Sequence, residues 1–280
     1  SVGGGIPIIR PLCQCLAANY IEGIAGILNG TTNFILTMMI EKGMSFDEAL
    51  KIAQEKGYAE KDPTADVEGY DACRKVCILA SLAFGKHVYP NQVETEGITN
   101  ITLEDVSYIE NAGGVIKLLG QIKYINDNEI AAFVSPAVVY NGSQLASVKD
   151  VFNAILVRGD AVGDVCFYGP GAGKLPTASA VVADIIDCAK HSERKKIFGW
   201  GAGAEDYVVD YKERIEMPFY VRAKATPAEI NAKFSDVKFL SRKGQPSDEV
   251  AFITDIMTEN KLNKKLDGIN VINTIKVTNY

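Results

Sequence analysis

Glu60, Asp62, Asp66, Glu68 and Asp71 crowd five carboxylates into twelve residues, and Arg74 and Lys75 follow directly. Asp71 and Lys75 stand four positions apart, so a helix would set them on one face within reach of each other. A solvated surface ion pair is the plain alternative. Two features favour chemistry. From Val76 to Phe84 the chain is almost wholly apolar, so the Lys75 ammonium would sit where water is scarce, and a lysine so placed can exchange a proton with a substrate oxygen. Glu60, Asp62 and Asp66 lie on a loop broken by Pro63 that leads into the same helix, where carboxylates can meet an ammonium group. Acids for an amine and a lysine for an oxygen point to an amino-acid substrate that bears a hydroxyl or a carbonyl.

Two glycine loops are further candidates. Tyr168-Gly-Pro-Gly171-Ala172-Gly173-Lys-Leu-Pro176-Thr177 feeds a helix N-terminus, whose backbone N–H groups can hold an anion. It is not a Walker A loop, because Tyr168 occupies the first glycine position and Leu175 replaces the Ser or Thr; taken alone it fits a tight turn better than a phosphate site. The opening Ser1-Val-Gly-Gly-Gly-Ile-Pro-Ile-Ile-Arg10 has no strand before its glycines, whereas a dinucleotide fingerprint needs strand, GxGxxG and helix in that order. A tight backbone turn is the simpler reading; the functional alternative is a cluster of backbone carbonyls around an ion.

The elements that must position these residues are legible in part. Ser45 as N-cap, Gly57 as stop and apolar side chains at Phe46, Ala49, Leu50, Ile52 and Ala53 predict an amphipathic helix over 45–56. Upstream, a buried helix opens near Thr31 or Thr32 and closes at Gly43, preceded by the loop Leu28-Asn29-Gly30. Glu68 to Phe84 reads as a third, mostly buried helix. A hairpin is expected with strands at 121–125 and 129–140, then strands at 153–158 and 164–168 and a helix from Pro176 to about Lys190. After a glycine-rich run between Ile197 and Val209, the pattern is strand 218–225, helix 227–233, strand 236–241, strand 249–254, helix 257–267 and strand 270–278. That βαββαβ order is the ferredoxin-like pattern of small regulatory modules. The fold class is therefore α+β: a mostly antiparallel sheet covered by helices on one face, followed by a small ferredoxin-like unit. Residues 1–200 are expected as the main domain, 201–215 as a linker and 216–280 as the appended domain.

With 280 residues, 47% hydrophobic and 23% charged, the chain has the make-up of an ordinary folded protein. A net charge of -6 and a pI near 5.1 give no electrostatic reason to approach nucleic acid. No stretch approaches the roughly 18 apolar residues that span a bilayer, so no membrane partner is expected. The six cysteines form no CxxC pair, and with only His87 and His191 a zinc site is not expected. Reduced thiols in the cytoplasm fit best.

The stretches SVGGGIPIIRPL, ILNGTTNFIL, KGYAEKDPTADVEGYDACRKVCIL and GPGAGKLPTASAVVADI resemble successive motifs of homoserine dehydrogenase, in that family's order and approximate spacing, over about 1–190. The resemblance implies reversible reduction of L-aspartate 4-semialdehyde to L-homoserine with NADH or NADPH, on the route to threonine, methionine and isoleucine. It assigns proton transfer to Lys75, the holding of substrate and the orienting of Lys75 to Asp71, and the substrate ammonium to Glu60. Asp66, Tyr58 and Thr31 would line the pocket. Gly57 and the loop Gly171, Ala172 and Gly173 would face the nicotinamide cofactor, and the carbonyls of Val2, Gly4 and Ile6 would contribute to a sodium site. It also implies a homodimer or larger homo-oligomer.

The family carries a Rossmann domain ahead of these motifs, so the chain is expected to be a portion without the cofactor domain and inactive alone. The tail is similar to an ACT domain in element order, but the loop that usually carries Asp-x-Pro-Gly reads Ala225-Thr-Pro-Ala-Glu229, which weighs against amino-acid feedback. A non-catalytic amino-acid-binding regulatory module, or a dimerisation scaffold, is the alternative.

Overall fold

The computed structural model describes residues 1–193 and 199–280; the first two residues of the glycine-rich run, Ile197 and Phe198, lie outside them. After the opening loop and a turn of π-helix at Pro11–Cys15, β1 (Ile21–Ile27) leads into α1 (Gly30–Lys42), α2 (Phe46–Glu55), α3 (Thr64–Val67) and α4 (Tyr70–Phe84). Next come β2 (Glu94–Thr95), α5 (Leu103–Asn111), the long hairpin β3 (Gly114–Asn126) and β4 (Glu129–Tyr140), then β5 (Phe152–Gly159), β6 (Gly163–Pro170) and α6 (Lys174–Lys190). The remainder runs α7 (Tyr211–Arg214), β7 (Glu216–Met217), β8 (Phe219–Lys224), α8 (Pro227–Lys233), β9 (Val237–Leu240), β10 (Glu249–Thr254), β11 (Met257–Thr258), α9 (Glu259–Leu266) and β12 (Asn270–Val277).

Local chemistry sets the helix ends. Ser45 and Glu48 close a reciprocal capping box at the start of α2. The Asn29 side chain accepts from the Thr32 N–H to cap α1, and Gly43, at φ 62°, ends that helix in the left-handed region. Gly69, at φ 82°, starts α4 at Tyr70 rather than at the expected Glu68, and residues 64–67, expected as loop, form the short helix α3. The expected strand 121–125 is only the end of β3. Helix α6 begins at Lys174 rather than Pro176.

A ten-stranded sheet takes the order β6-β5-β1-β3-β4-β12-β8-β10-β9, with β2 beside β4. Its pairings are antiparallel except β12 and β2 against β4. Because β12 bonds to both β8 and β4, the βαββαβ run continues the sheet of the preceding residues instead of closing a sheet of its own. Strand alternation sorts the core into two faces. Ile24, Ile122, Val134, Ile155, Tyr220 and Ile253 face the layer that holds α1, α2, α4 and α5. On the other face, Phe133, Val221 and Phe252 pack under α7, α8 and α9, while Ala25, Leu119, Val139 and Leu156 pack under Leu145, Val148 and Tyr280. The C-terminal helices thus cover the face opposite α1, α2, α4 and α5, because alternation on β8 and β10 leaves a second apolar face.

Helix α4 approaches the sheet closely. A Cβ on Gly120 of β3 would lie 2.4 Å from a Val76 methyl and 2.8 Å from a Leu28 methyl, so glycine there lets the segments that carry Lys75 and Asn29 close onto the sheet. Helix α5 is fastened to the C-terminal strands by buried polar bonds. Tyr108 donates to Glu249 Oε1 at 2.8 Å and Tyr220 donates to Asp105 Oδ1 at 3.0 Å.

A second buried network holds the loop before β5. Lys117, 2% exposed, donates to Asn33 Oδ1 at 3.0 Å and to the Val148 carbonyl. Asn33 Nδ2 in turn donates to the carbonyls of Asp150 at 2.9 Å and Phe152 at 3.2 Å. These bonds hold Asp150 at φ 54°, a left-handed conformation that costs a non-glycine residue free energy. Burial pushes Lys117 down to about 8 from its ordinary 10.5, with Lys149 adding repulsion. The unfolded chain therefore binds this proton more tightly, and the resulting penalty is full below about pH 8 and is relieved as pH rises toward 10.5. The stability of the protein relative to a Lys117→Met variant is expected to increase with pH across that window in parallel denaturation series. A difference independent of pH would contradict it.

Candidate active site

The N-terminus of α1, the loop after α2, the start of α4 and the turn after β6 converge on a cleft of about 600 Å³. Asn29, Thr31, Gly57, Tyr58, Glu60, Asp66, Asp71, Lys75, Asn153 and the Gly171 to Gly173 loop all line it. Of the residues singled out from the sequence, Glu60, Asp62, Asp66, Asp71, Lys75, Tyr58, Thr31, Gly57 and the second glycine loop are thus brought together, whereas Glu68 points elsewhere and accepts from the Thr99 hydroxyl.

Lys75 and Asp71 meet as their spacing predicts. Lys75 Nζ donates to Asp71 Oδ2 at 2.6 Å and to the Leu28 carbonyl at 2.7 Å. Both side chains are only partly screened, at 21% and 30% exposure, so the pair is neither a freely solvated surface bridge nor sealed in the core. An ammonium has three donors, and the third has no partner among the described residues.

Asn29 was not anticipated as a site residue, and it organises the acids. While its oxygen caps α1, its Nδ2 donates to Asp66 Oδ1 at 2.7 Å and to Asp71 Oδ2 at 2.8 Å. Two carboxylates that would repel each other are so held by one amide. The only hint in the sequence was an Asn directly before a helix, which predicts a cap and not a bridge.

The remaining acids divide by occupation. Asp62 accepts from the Thr64 N–H at 3.1 Å and from the Thr64 hydroxyl at 2.6 Å, and these bonds hold its carboxyl below the usual range; it is spent on starting α3. The Glu60 carboxylate has no partner among the described residues and faces the cleft. Thr31 donates to the Tyr58 carbonyl at 2.7 Å, and the Tyr58 ring stands edge-on to Phe34 at 5.1 Å, so Thr31 fixes the wall that Tyr58 forms. Gly57, at φ 72°, has nothing within 4 Å of where a Cβ would be, which leaves that side of the cleft open. Arg74, Val151 and Asn153 also line the cleft and were not assigned a role from the sequence.

Val2, Gly4 and Ile6 do not line the cleft; they lie behind it. Val2 and Ile6 are buried in the core, and a Cβ on Gly4 would fall 2.1 Å from the Gly171 carbonyl, so the opening turn buttresses the second glycine loop. The Gly5 N–H donates to the Pro170 carbonyl at 3.1 Å, and the Ile6 carbonyl accepts from Ile8 at 2.9 Å. No grouping of three His, Cys, Asp or Glu suited to a metal occurs among the described residues, and no helix there is long and apolar enough to cross a membrane. A wider cleft of about 930 Å³ between residues 89–94 and 203–211 carries Glu94, Glu205 and Asp210 but no lysine or arginine in its lining. The 600 Å³ cleft, with both signs of charge, is the better candidate for amino-acid chemistry.

Comparison with known proteins bears on the family. The family model for homoserine dehydrogenase matches residues 7–186. A homoserine dehydrogenase of Synechocystis is 50% identical over 190 residues, which cover 67% of this chain and 44% of that protein. The chain therefore spans less than half the length of this relative. Among solved structures, a homoserine dehydrogenase from Thiobacillus denitrificans superposes with a TM-score of 0.86 at 37% identity, over 99% of this chain and 68% of that one. A hyperthermophilic archaeal homoserine dehydrogenase mutant, solved in complex with NADPH, matches with a TM-score of 0.57 at 30% identity, over 70% of this chain and 56% of that one.

Proposed function

This chain belongs to the homoserine dehydrogenase family, and from that footing we propose that its cleft binds L-aspartate 4-semialdehyde and L-homoserine and handles the proton in their interconversion. The observation that carries the reading is Lys75, tethered by Asp71 and the Leu28 carbonyl with one N–H left for the cleft. The residues present fit a nicotinamide dinucleotide: Gly57, Gly171 and Gly173 give the cleft a side without Cβ atoms, where a flat ring can lie against backbone. When bound, the reduced dinucleotide supplies the hydride to the carbonyl carbon.

Lys75 then works on the oxygen. As negative charge builds on the carbonyl oxygen, the free N–H of Lys75 donates to it and its proton passes across, which leaves a hydroxyl and a neutral amine. In the direction of homoserine oxidation, the neutral amine takes the hydroxyl proton. Asp71 keeps Nζ in place through both protonation states. Glu60, with its carboxylate unoccupied, holds the substrate ammonium, and Asp66, Tyr58 and Thr31 complete the wall.

We further assign a monovalent cation, sodium, to the carbonyls of Val2, Gly4 and Ile6; those of Val2 and Gly4 accept no backbone hydrogen bond among the described residues. No step depends on it. Residues 1–200 would form the substrate unit and 216–280 an ACT-like module joined through 201–215. The βαββαβ order with strands arranged β12-β8-β10-β9 supports the latter. Six free thiols support a reducing, cytoplasmic setting.

The intact protein is expected to oxidise NADPH or NADH when given L-aspartate 4-semialdehyde; no oxidation of either would contradict the proposal. Glu60→Gln is expected to raise KM for homoserine by roughly 10- to 100-fold, as loss of a charged hydrogen bond does, with kcat changed little. Steady-state kinetics checks it, and an unaltered KM removes Glu60 from the substrate site.

A further inference from the structure

Asn153, on β5, is 1% exposed and stands in the wall of the cleft. Its Oδ1 is buried without a hydrogen-bond partner, and its Nδ2 bonds to none of the described residues. The fold therefore makes no use of this amide, although the network of Lys117 and Asn33 holds the loop that leads into it. A buried acceptor left unpaired is costly and rare in native proteins. Across from it, a Cβ on Gly171 would lie 2.3 Å from the Asn153 Cγ and Nδ2; glycine at that position lets the amide lie flat against the loop.

The unmet valences describe the ligand. An amide with one free acceptor and one free donor side by side matches a group that offers one donor and one acceptor in the same plane. The substrate ammonium offers only donors, and Glu60 stands ready for it. The substrate carboxylate offers only acceptors. The reacting hydroxyl is served by Lys75. A primary carboxamide fits, and turning the Asn153 amide over exchanges its two ends without changing the match.

We propose that Asn153 is a cofactor-binding residue, pairing its side-chain amide with the carboxamide of the nicotinamide ring and so fixing which face of the ring is turned toward the substrate. The inference rests on the dehydrogenase reading of the cleft.

The test is a binding measurement on the intact protein by fluorescence titration with NADPH and with its reduced 3-acetylpyridine analogue, which keeps the ring's carbonyl oxygen and lacks the N–H donor. The unaltered protein is expected to bind NADPH about tenfold more tightly than the analogue. Asn153→Ala should weaken NADPH binding by about the same factor and bring the two dinucleotides to near equality, while homoserine affinity and Tm stay unchanged. Asn153→Asp, close in shape, should keep the preference for the ring that bears an N–H while weakening both dinucleotides. Discrimination that survives intact in Asn153→Ala, or a loss confined to homoserine affinity, would overturn the assignment. Failure of the unaltered protein to bind either dinucleotide would overturn the dehydrogenase reading itself.

Discussion

Replacing Lys75 with methionine is expected to lower kcat by about 10²- to 10⁴-fold in both directions, the range over which a positioned acid or base contributes, with KM for the amino-acid substrate little changed. Methionine fills similar space on α4, whose neighbouring residues Ala72, Val76 and Leu79 are buried, so folding should survive. The tether supports a role confined to the reacting oxygen. Two of the three Nζ donors are taken by Asp71 and the Leu28 carbonyl, so Lys75 adds little to ground-state binding and has one donor to give as charge develops. Steady-state kinetics with a separate measurement of homoserine affinity decides the matter. Turnover within a few-fold of the unaltered protein would remove Lys75 from the reaction.

Asp71→Asn is expected to cost about 10²-fold in kcat, comparable to what a small misplacement of a reacting group costs. Asp71 Oδ2 is shared between Lys75 Nζ and Asn29 Nδ2. An amide at that position keeps the shape, loses the charge that tethers the Lys75 ammonium, and sets its own N–H₂ against one of two donors. The effect should fall on kcat, since Glu60 and not Asp71 is proposed to hold the ammonium. An effect on KM alone would recast Asp71 as a substrate contact without influence on Lys75.

The parts of this site that follow from local rules were legible in the sequence. Spacing placed Asp71 under Lys75, capping chemistry placed α2 between Ser45 and Gly57, and period and turn residues marked the βαββαβ order. What escaped depends on contacts between distant residues. Strand β1 reads Ile-Glu-Gly-Ile-Ala-Gly-Ile, and its glycines look like strand breakers. They let side chains close in: a Cβ on Gly23 would fall 2.4 Å from the Tyr280 hydroxyl and one on Gly26 would fall 2.7 Å from a Leu28 methyl, so either side chain would have to shift. Helix α5 carries a capping box between Thr102 and Asp105, a local signal that does not reveal its buried bonds to the C-terminal strands. Asn29 bridges acids 37 and 42 positions away, and Asn153 is defined by bonds it does not make. No local pattern encodes either.

The central claim is that Lys75 moves the proton, and chemical rescue of Lys75→Ala tests it most directly. Small primary alkylamines of graded basicity, added to the variant in homoserine oxidation, can occupy the space of the missing side chain. Turnover is predicted to rise with amine concentration and, among amines of similar size, with amine basicity, as a Brønsted dependence requires. A variant that binds homoserine and dinucleotide normally, yet is rescued by no amine, would contradict the account.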